Sequence, residues 1–99
     1  MNYSVRFTSE AQEDLCRLYD FQLEDDLVAA EKALDAIHQG VLFLQKLPFS
    51  CRKATAENPF LRELLISFRT SGYVALFEIE NERSVTILAV RHQREEDYY

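Results

Sequence analysis

The side chains best suited to chemistry lie at the end of the sequence. Arg91, His92 and Arg94 stand where a strand is predicted to end, and Tyr98 and Tyr99 close the chain. An imidazole titrates near neutral pH, so His92 could serve as an acid or base in a nuclease. A histidine at a strand end is more often structural or a binding contact. The acidic residues that follow could also pair with the arginines, so binding to another macromolecule and internal pairing both remain open.

A second group of cations precedes this region. Arg62 and Arg69 lie on a predicted strand whose other face is apolar, and Arg52–Lys53 lie on the loop before it. These side chains could form an exposed binding face. Cross-strand ion pairs with Glu63 or Glu78 are the alternative for any single member. We therefore expect a role for the group rather than for one residue.

The bulk composition indicates one globular domain, residues 1–99. Apolar residues make up 47% of the chain and charged residues 28%. The first residues lack the apolar region of a secretory signal, and no apolar run is long enough to cross a membrane. The expected location is the cytoplasm.

The charge distribution argues against a protein that grips bare nucleic acid. The net charge is −6, of which residues 1–47 carry −5 and residues 48–99 carry −1. Phosphate neutralisation usually requires a basic surface. Direct sequence-specific nucleic-acid binding is not expected, although a local basic patch in the second half stays open.

No cofactor or metal is predicted. Cys16 and Cys51 form no Cys-x-x-Cys motif, and His38 and His92 lack ligand-like spacing. The two cysteines could form a disulfide, but two inert thiols are equally normal in a cytosolic chain.

Two helices are predicted in the first half of the chain. Ser9 followed by Gln12 has the spacing of a capping box for a helix from about residue 9 to 23. Asp25 or Asp26 then caps a second helix, whose apolar residues recur at steps of three and four to about residue 46. The short connection predicts an antiparallel hairpin.

Strands are predicted on both sides of this hairpin. Residues 3–7 alternate between apolar and polar side chains, and residues 48–59 have the composition of a loop. Strands at 60–69, 73–80 and 83–92 follow with short turns between them, which predicts an antiparallel meander. The last of them is almost continuously apolar and should lie inside the sheet. The fold class is therefore α+β, with a helical hairpin packed on a four-stranded sheet.

This order resembles the RelE/ParE superfamily of bacterial toxins, and five segments carry the resemblance. They are the strand end and Ala-x-x-Asp-Leu helix start of 7–15, the helix end at 41–48, the Leu-Arg-Glu-Leu of 61–64, the Ser-Gly-Tyr of 71–73, and the strand end at 88–94. The resemblance covers essentially the whole chain.

The superfamily contains two branches with different activities. One cleaves messenger RNA in the ribosome, and the ParE branch inhibits DNA gyrase without being a nuclease. RNA cleavage needs an acid, a base and cations for the phosphorane charge. The positions at which the nuclease branch carries its cations hold Leu65, Ser67 and Val74 here, and a late cation falls on Gln93 or Arg94. The Arg-His-Gln-Arg ending is also more similar to ParE.

The resemblance therefore implies the toxin of a type II toxin–antitoxin, plasmid-stabilisation-type system that arrests growth by inhibiting DNA gyrase. A cognate antitoxin would neutralise it, in a hetero-oligomer with the toxin. No catalytic residue is expected. One alternative is an endoribonuclease that uses His92, Arg94, Tyr98 and Tyr99, and another is a non-toxic relative that only binds an antitoxin.

Overall fold

The computed structural model describes residues 2–69 and 71–93, and they form the predicted α+β fold. In chain order the elements are β1 (Ser4–Phe7), α1 (Ser9–Asp25), α2 (Leu27–Leu44), a one-turn 3₁₀ helix (Pro48–Ser50), β2 (Arg52–Lys53), β3 (Leu61–Phe68), β4 (Ser71–Ile79) and β5 (Ser84–His92). The helical hairpin and the C-terminal meander are confirmed.

The sheet has five strands in the order β1-β5-β4-β3-β2. β1 runs parallel to β5, with Val5 beside Val85 and Phe7 beside Ile87, and the other neighbours are antiparallel. The apolar β5 lies between β1 and β4, as its composition predicts. The expectation of four strands was wrong, because β2 lies within the segment predicted to be a loop. A strand of two residues is too short to show any periodicity.

Both helices begin at residues whose side chains accept a backbone hydrogen bond. At α1 the cap is Thr8, whose Oγ1 accepts from the N–H of Ala11 at 3.1 Å, so the prediction of a Ser9 cap was wrong by one residue. At α2 the cap is Asp26, whose Oδ1 accepts from the N–H of Val28 at 3.1 Å. Within the described residues, no helix is long and apolar enough to span a membrane.

The hydrophobic core lies between the hairpin and one face of the sheet. Ala33 and Ile37 of α2 are buried in the same cluster as Phe77 and Ile87 of the central strands. Gly40 lets α2 approach β3 closely, because a Cβ there would lie 3.0 Å from Cδ1 of Ile66. Core-facing side chains recur at every second residue of β3 and β4, and the side chains between them point away from the helices. In β5 the alternation shifts by one residue between Ile87 and Ala89.

The two cysteines are free thiols rather than a disulfide. Cys16 is exposed on α1, and Cys51 is buried at the end of the 3₁₀ helix. Burial raises the pKa of the Cys51 thiol to about 11, against a smaller lowering by the charge of Arg62. The structure therefore contains no disulfide between Cys16 and Cys51.

Candidate functional site

The start of β4 and the end of β5 form one hydrogen-bonded network. The hydroxyl of Ser71 lies 3.0 Å from Nε2 of His92. The backbone N–H of Gln93 donates to the carbonyl of Gly72 at 2.8 Å, and its side-chain amide donates to the carbonyl of Tyr73 at 3.4 Å. Two segments that are about 20 positions apart in the sequence are thus joined at one end of the sheet.

Gly72 is required for this junction. Its φ is +147°, and a Cβ at this position would lie 2.0 Å from the carbonyl oxygen of Ile66. Any other residue type at this position would push its Cβ into the backbone of β3, and one of the two strands would have to move. The glycine of the Ser-Gly-Tyr segment therefore has a structural role in bringing β3, β4 and the end of β5 together.

Tyr73 is the aromatic centre of the same end. Its ring stacks on Phe68 with centroids 5.8 Å apart and meets the edge of His92 at the same distance. The side chain is buried, and burial raises the pKa of the Tyr73 hydroxyl, while Gln22 and Arg69 act to lower it. The imidazole of His92 is thereby held between a hydroxyl and an aromatic ring.

Arg69 lies at this end too, in the turn between β3 and β4. Its φ is +57°, a left-handed conformation that is uncommon outside glycine. The guanidinium lies over the ring of Phe68, at 5.4 Å, and 3.6 Å from a carboxylate oxygen of Asp25. Arg69, Asp25, Gln22 and Phe21 line a shallow depression of about 420 Å³. One predicted cation is therefore beside the His92 network.

Arg62, by contrast, lies at the opposite end of β3. Its guanidinium donates to the backbone carbonyls of Pro59 at 2.7 Å, Cys51 at 2.8 Å and Phe49 at 3.2 Å. It also lies over the Phe49 ring, at 5.4 Å. Seven residues of extended chain separate it from Arg69, which corresponds to roughly 20 Å. The structure therefore does not bring Arg62 and Arg69 into one cluster, and it shows Arg62 holding the segment before β3.

Two further cations of the sheet take part in ion pairs. Arg52 Nε lies 3.0 Å from Glu63, and Arg6 lies 3.0 Å from Glu80. Thr86 donates to Glu80 at 2.6 Å. This hydroxyl, and more weakly Arg6, holds the pKa of the Glu80 carboxyl below its ordinary value despite partial desolvation. Glu63 was one of two acids proposed as cross-strand partners for the Arg52, Lys53, Arg62 and Arg69 group, and in the structure it pairs with Arg52.

The sheet face that points away from the helices contains Leu65, Ser67 and Val74, the positions at which the resemblance would place the cations of a nuclease. Leu65, Val74 and Arg91 lie side by side in one row across β3, β4 and β5. Leu65 is half exposed, Ser67 next to it on the same strand face is exposed, and Val74 is buried. Arg91 is the one cation in this row. The row can offer an apolar contact beside a positive charge.

Sequence reasoning missed the role of Asp14. β1 ends at Phe7, which leaves the later part of β5 without a neighbouring strand on that side. Asp14 of α1 replaces it, because its Oδ2 accepts from the N–H of Val90 at 2.9 Å, and Thr8 donates to the carbonyl of Leu88 at 3.1 Å. The Ala-x-x-Asp-Leu spacing of 11–15 was the available signal.

Three predicted site residues, Arg94, Tyr98 and Tyr99, lie outside the described residues. Within 2–69 and 71–93, no three His, Cys, Asp or Glu side chains are grouped so that they could hold a metal ion. The described part of the site thus consists of the Ser71–His92 network, Arg69 and Arg91.

A helical hairpin on a sheet of this order, with a Ser-Gly-Tyr turn joined to the end of the last strand, agrees with the architecture that the resemblance to the RelE/ParE toxins implies. A family model described as the ParE toxin of the type II toxin–antitoxin system parDE matches residues 5–97. The chain therefore belongs to the ParE toxin family.

A solved structure supports the fold independently. A chain of the chromosomal ParDE toxin–antitoxin system from P. aeruginosa superposes with a TM-score of 0.72 and 24% sequence identity. The match covers 91% of this chain and 95% of that one. At this identity the likeness extends to the fold alone. No curated protein matches the sequence.

Proposed function

We propose that this ParE-family toxin inhibits DNA gyrase by binding it and carries out no chemistry of its own. The observation that carries the proposal is the row formed by Leu65, Val74 and Arg91. A nuclease of this superfamily needs several cations on this sheet face to stabilise a phosphorane. Here an exposed leucine and a buried valine occupy two of those positions, and Ser67 occupies a third.

The charges around this face support the same proposal. Arg6 and Arg52 lie in ion pairs with Glu80 and Glu63, so their charge is partly neutralised. The helices add a strongly acidic surface, which would repel ribosomal RNA. Binding to another protein faces no such opposition. An exposed Leu65 in the same row as the positive charge of Arg91, with Val74 between them, suits a protein contact.

A cognate antitoxin is the second proposed partner. Membership of the ParE toxin family supports a protein that is neutralised in a hetero-oligomer and arrests growth when released. The proposed location is the cytoplasm, where gyrase acts on DNA.

The deciding experiment compares two activities of the same purified protein. In a supercoiling assay with gyrase and relaxed plasmid we expect inhibition that depends on toxin concentration. In a coupled translation reaction we expect full-length messenger RNA, read by primer extension. Codon-phased cuts with unaffected gyrase would replace the proposal with the endoribonuclease alternative. Tight antitoxin binding without growth arrest on expression would instead indicate the non-toxic relative.

The site is tested with substitutions at its exposed leucine and its partly buried arginine. Leu65→Ser and Arg91→Ala should each weaken gyrase inhibition, by roughly threefold to thirtyfold for a central contact. Arg83→Ala, in the turn before β5, is the matched control and should leave inhibition unchanged. Circular dichroism of each variant separates lost binding from lost folding. Equal inhibition by all three variants would show that gyrase contacts a different surface.

A further inference from the structure

A second concave region lies at the end of the sheet farthest from the His92 network. It has a volume of about 520 Å³. Its walls are mainly aromatic and carboxylate side chains, and Ile79 and two asparagines complete the lining. The aromatic and carboxylate members are Tyr3, Phe49, Phe60, Glu78, Glu80 and Glu82. We call this region the aromatic-acidic basin. It is large enough for one or two long side chains of a ligand.

The aromatic wall is exposed although its rings pack on each other. Phe49 and Phe60 meet edge to face with centroids 6.1 Å apart, and each remains about half exposed, at 48% and 49%. One guanidinium already lies over the Phe49 ring, that of Arg62 at 5.4 Å. The wall thus presents the kind of ring surface that attracts a cation.

The carboxylate wall carries an excess of negative charge. Glu80 pairs with Arg6 at 3.0 Å. In the part of the chain that the structure describes, no cation pairs with Glu78 or Glu82, although both line the basin. Two uncompensated carboxylates beside two phenyl rings are complementary to a long cationic side chain, whose methylene stem suits the rings and whose charge suits the acids.

Two asparagines of the basin can donate hydrogen bonds, so a matching ligand should carry acceptors. Asn58 and Asn81 line the basin, and their Oδ1 atoms accept from the backbone N–H groups of Phe60 at 3.0 Å and Arg83 at 2.8 Å. Among the described residues, no hydrogen bond is found from the side-chain N–H groups of either asparagine, so these donors can serve a ligand. Peptide carbonyls can accept from these groups, whereas a free polyamine has only donors to offer at neutral pH.

We propose that the aromatic-acidic basin binds an arginine or lysine side chain on an extended segment of a partner protein. The rings and carboxylates receive the cationic side chain, and the asparagine amides receive the neighbouring backbone carbonyls. This basin is separate from the row of Leu65 and Arg91, so the proposal stands whether or not gyrase is the target of that row.

The test uses uniformly ¹⁵N-labelled full-length protein and four small probes. N-acetyl-arginine-N-methylamide and its lysine counterpart supply the cationic side chain with two carbonyls. The norleucine counterpart keeps the stem and carbonyls without the charge, and spermidine keeps the charge without carbonyls. We expect saturable chemical-shift changes at the amides of Phe60, Asn81 and Glu82 with the first two probes, at millimolar concentrations.

Paired substitutions locate the binding. Glu78→Gln with Glu82→Gln should weaken arginine-probe binding roughly threefold to tenfold. Phe60→Leu, which keeps an apolar side chain but removes the ring, should weaken it roughly twofold to fivefold. Glu31→Gln with Asp35→Asn changes the net charge equally on the exposed surface of α2 and should have no effect.

Four results would overturn the proposal. They are no saturation with either cationic probe, equal binding of the norleucine probe, tighter binding of spermidine than of the arginine probe, and equal weakening by the α2 control pair. The third would assign the basin to polyamines, and the fourth would reduce the effect to net charge. The ¹⁵N spectrum of each variant reports whether its fold is intact, so a folding defect cannot imitate lost binding.

Discussion

The carboxylate of Asp14 accepts a hydrogen bond of 2.9 Å from the backbone N–H of Val90, across 76 residues of sequence. The contact joins α1 to the part of β5 that extends beyond β1. Asp14 is almost fully buried, and Arg17, 3.8 Å away, is half exposed and contributes little. The aspartate therefore performs the hydrogen bonding that another strand would otherwise provide.

Replacing Asp14 tests this relationship. Asp14→Ala leaves the N–H of Val90 without its acceptor, so we expect a loss of about 1–3 kcal/mol in the free energy of unfolding. Asp14→Asn retains a carbonyl acceptor and should lose less. Urea unfolding followed by circular dichroism measures both, with the exposed neighbour Glu13→Ala as the control. An Asp14→Ala protein as stable as the Glu13→Ala protein would contradict the assigned role.

Gly72 makes a sharper steric prediction. A Cβ at this position would lie 2.0 Å from the carbonyl oxygen of Ile66, so Gly72→Ala must move one strand or unfold the hairpin. We expect a loss of at least about 2 kcal/mol in unfolding free energy. Ser67→Ala, at the position paired with Gly72, is exposed and should stay within about 0.5 kcal/mol of the wild type. Similar stabilities for the two variants would contradict the close approach.

The long elements were predictable because their signal is local. The apolar residues of α2 recur at the helical period and the run in β5 is almost unbroken, so each pattern is readable from its own segment. Pairings that depend on distant residues were not readable. The alternation of residues 3–7 predicts a strand but does not show that this strand lies parallel to β5. The two residues of β2, which pair with β3, are too few to show any alternation.

The cap of α1 shows how a tertiary contact decides between neighbouring candidates. Ser9 and Thr8 are both suitable caps by residue type. Thr8 is the cap in the structure, and its hydroxyl accepts from Ala11 and also donates to the carbonyl of Leu88 on β5. One hydroxyl thus satisfies a helix end and a strand edge together. The second of these contacts is invisible before the strand is placed.

The candidate site was predictable in part for the same reason. Ser71 and His92 belong to separate segments that sequence reasoning singled out, and the meander brings them together. Arg62 lies near the start of β3 and Arg69 lies in the turn after it, so extended chain separates the two cations by roughly 20 Å. Residue type indicated a cation at each position, but only the contacts show that Arg62 binds backbone carbonyls.

Glu80 makes the stability of the sheet depend on acidic pH. Its carboxyl accepts from Thr86 and pairs with Arg6, which holds its pKa below the ordinary value of 4.5. Because the folded-state pKa is lowered, this contribution is present above pH 4.5 and is lost as the pH falls through the folded-state pKa. In Thr86→Val, the free energy of unfolding should therefore fall less steeply between about pH 5 and 3 than in the wild type.

The measurement is a double-mutant cycle of Thr86→Val and Glu80→Gln, with urea midpoints recorded at several pH values. At neutral pH the two substitutions should be non-additive, since Thr86→Val removes the hydroxyl donor and Glu80→Gln removes the charge that strengthens the same hydrogen bond. At the lowest pH the coupling should shrink, because Glu80 is then protonated in all states. A coupling that does not change with pH would show that the charged form of Glu80 is not what Thr86 stabilises.

The last prediction concerns Cys51 and the arginine that holds its segment in place. Burial raises the pKa of the Cys51 thiol to about 11, so in a Cys16→Ser background this thiol should react slowly with iodoacetamide at neutral pH. Arg62→Met removes the donors to the carbonyls of Cys51, Phe49 and Pro59, so the segment should open more often. If the free energy of this local opening falls by about 1.4 kcal/mol, the alkylation rate should rise roughly tenfold.

The direction of this effect separates opening from electrostatics. The charge of Arg62 lowers the pKa of the Cys51 thiol, so removing that charge alone would raise the pKa and slow alkylation. Faster alkylation of the Arg62→Met protein can therefore arise only from exposure of the thiol. Arg52→Met, which breaks the exposed pair with Glu63 one residue away, is the matched control and should leave the rate almost unchanged. Slower or equal alkylation in Arg62→Met would mean that other contacts hold the segment closed.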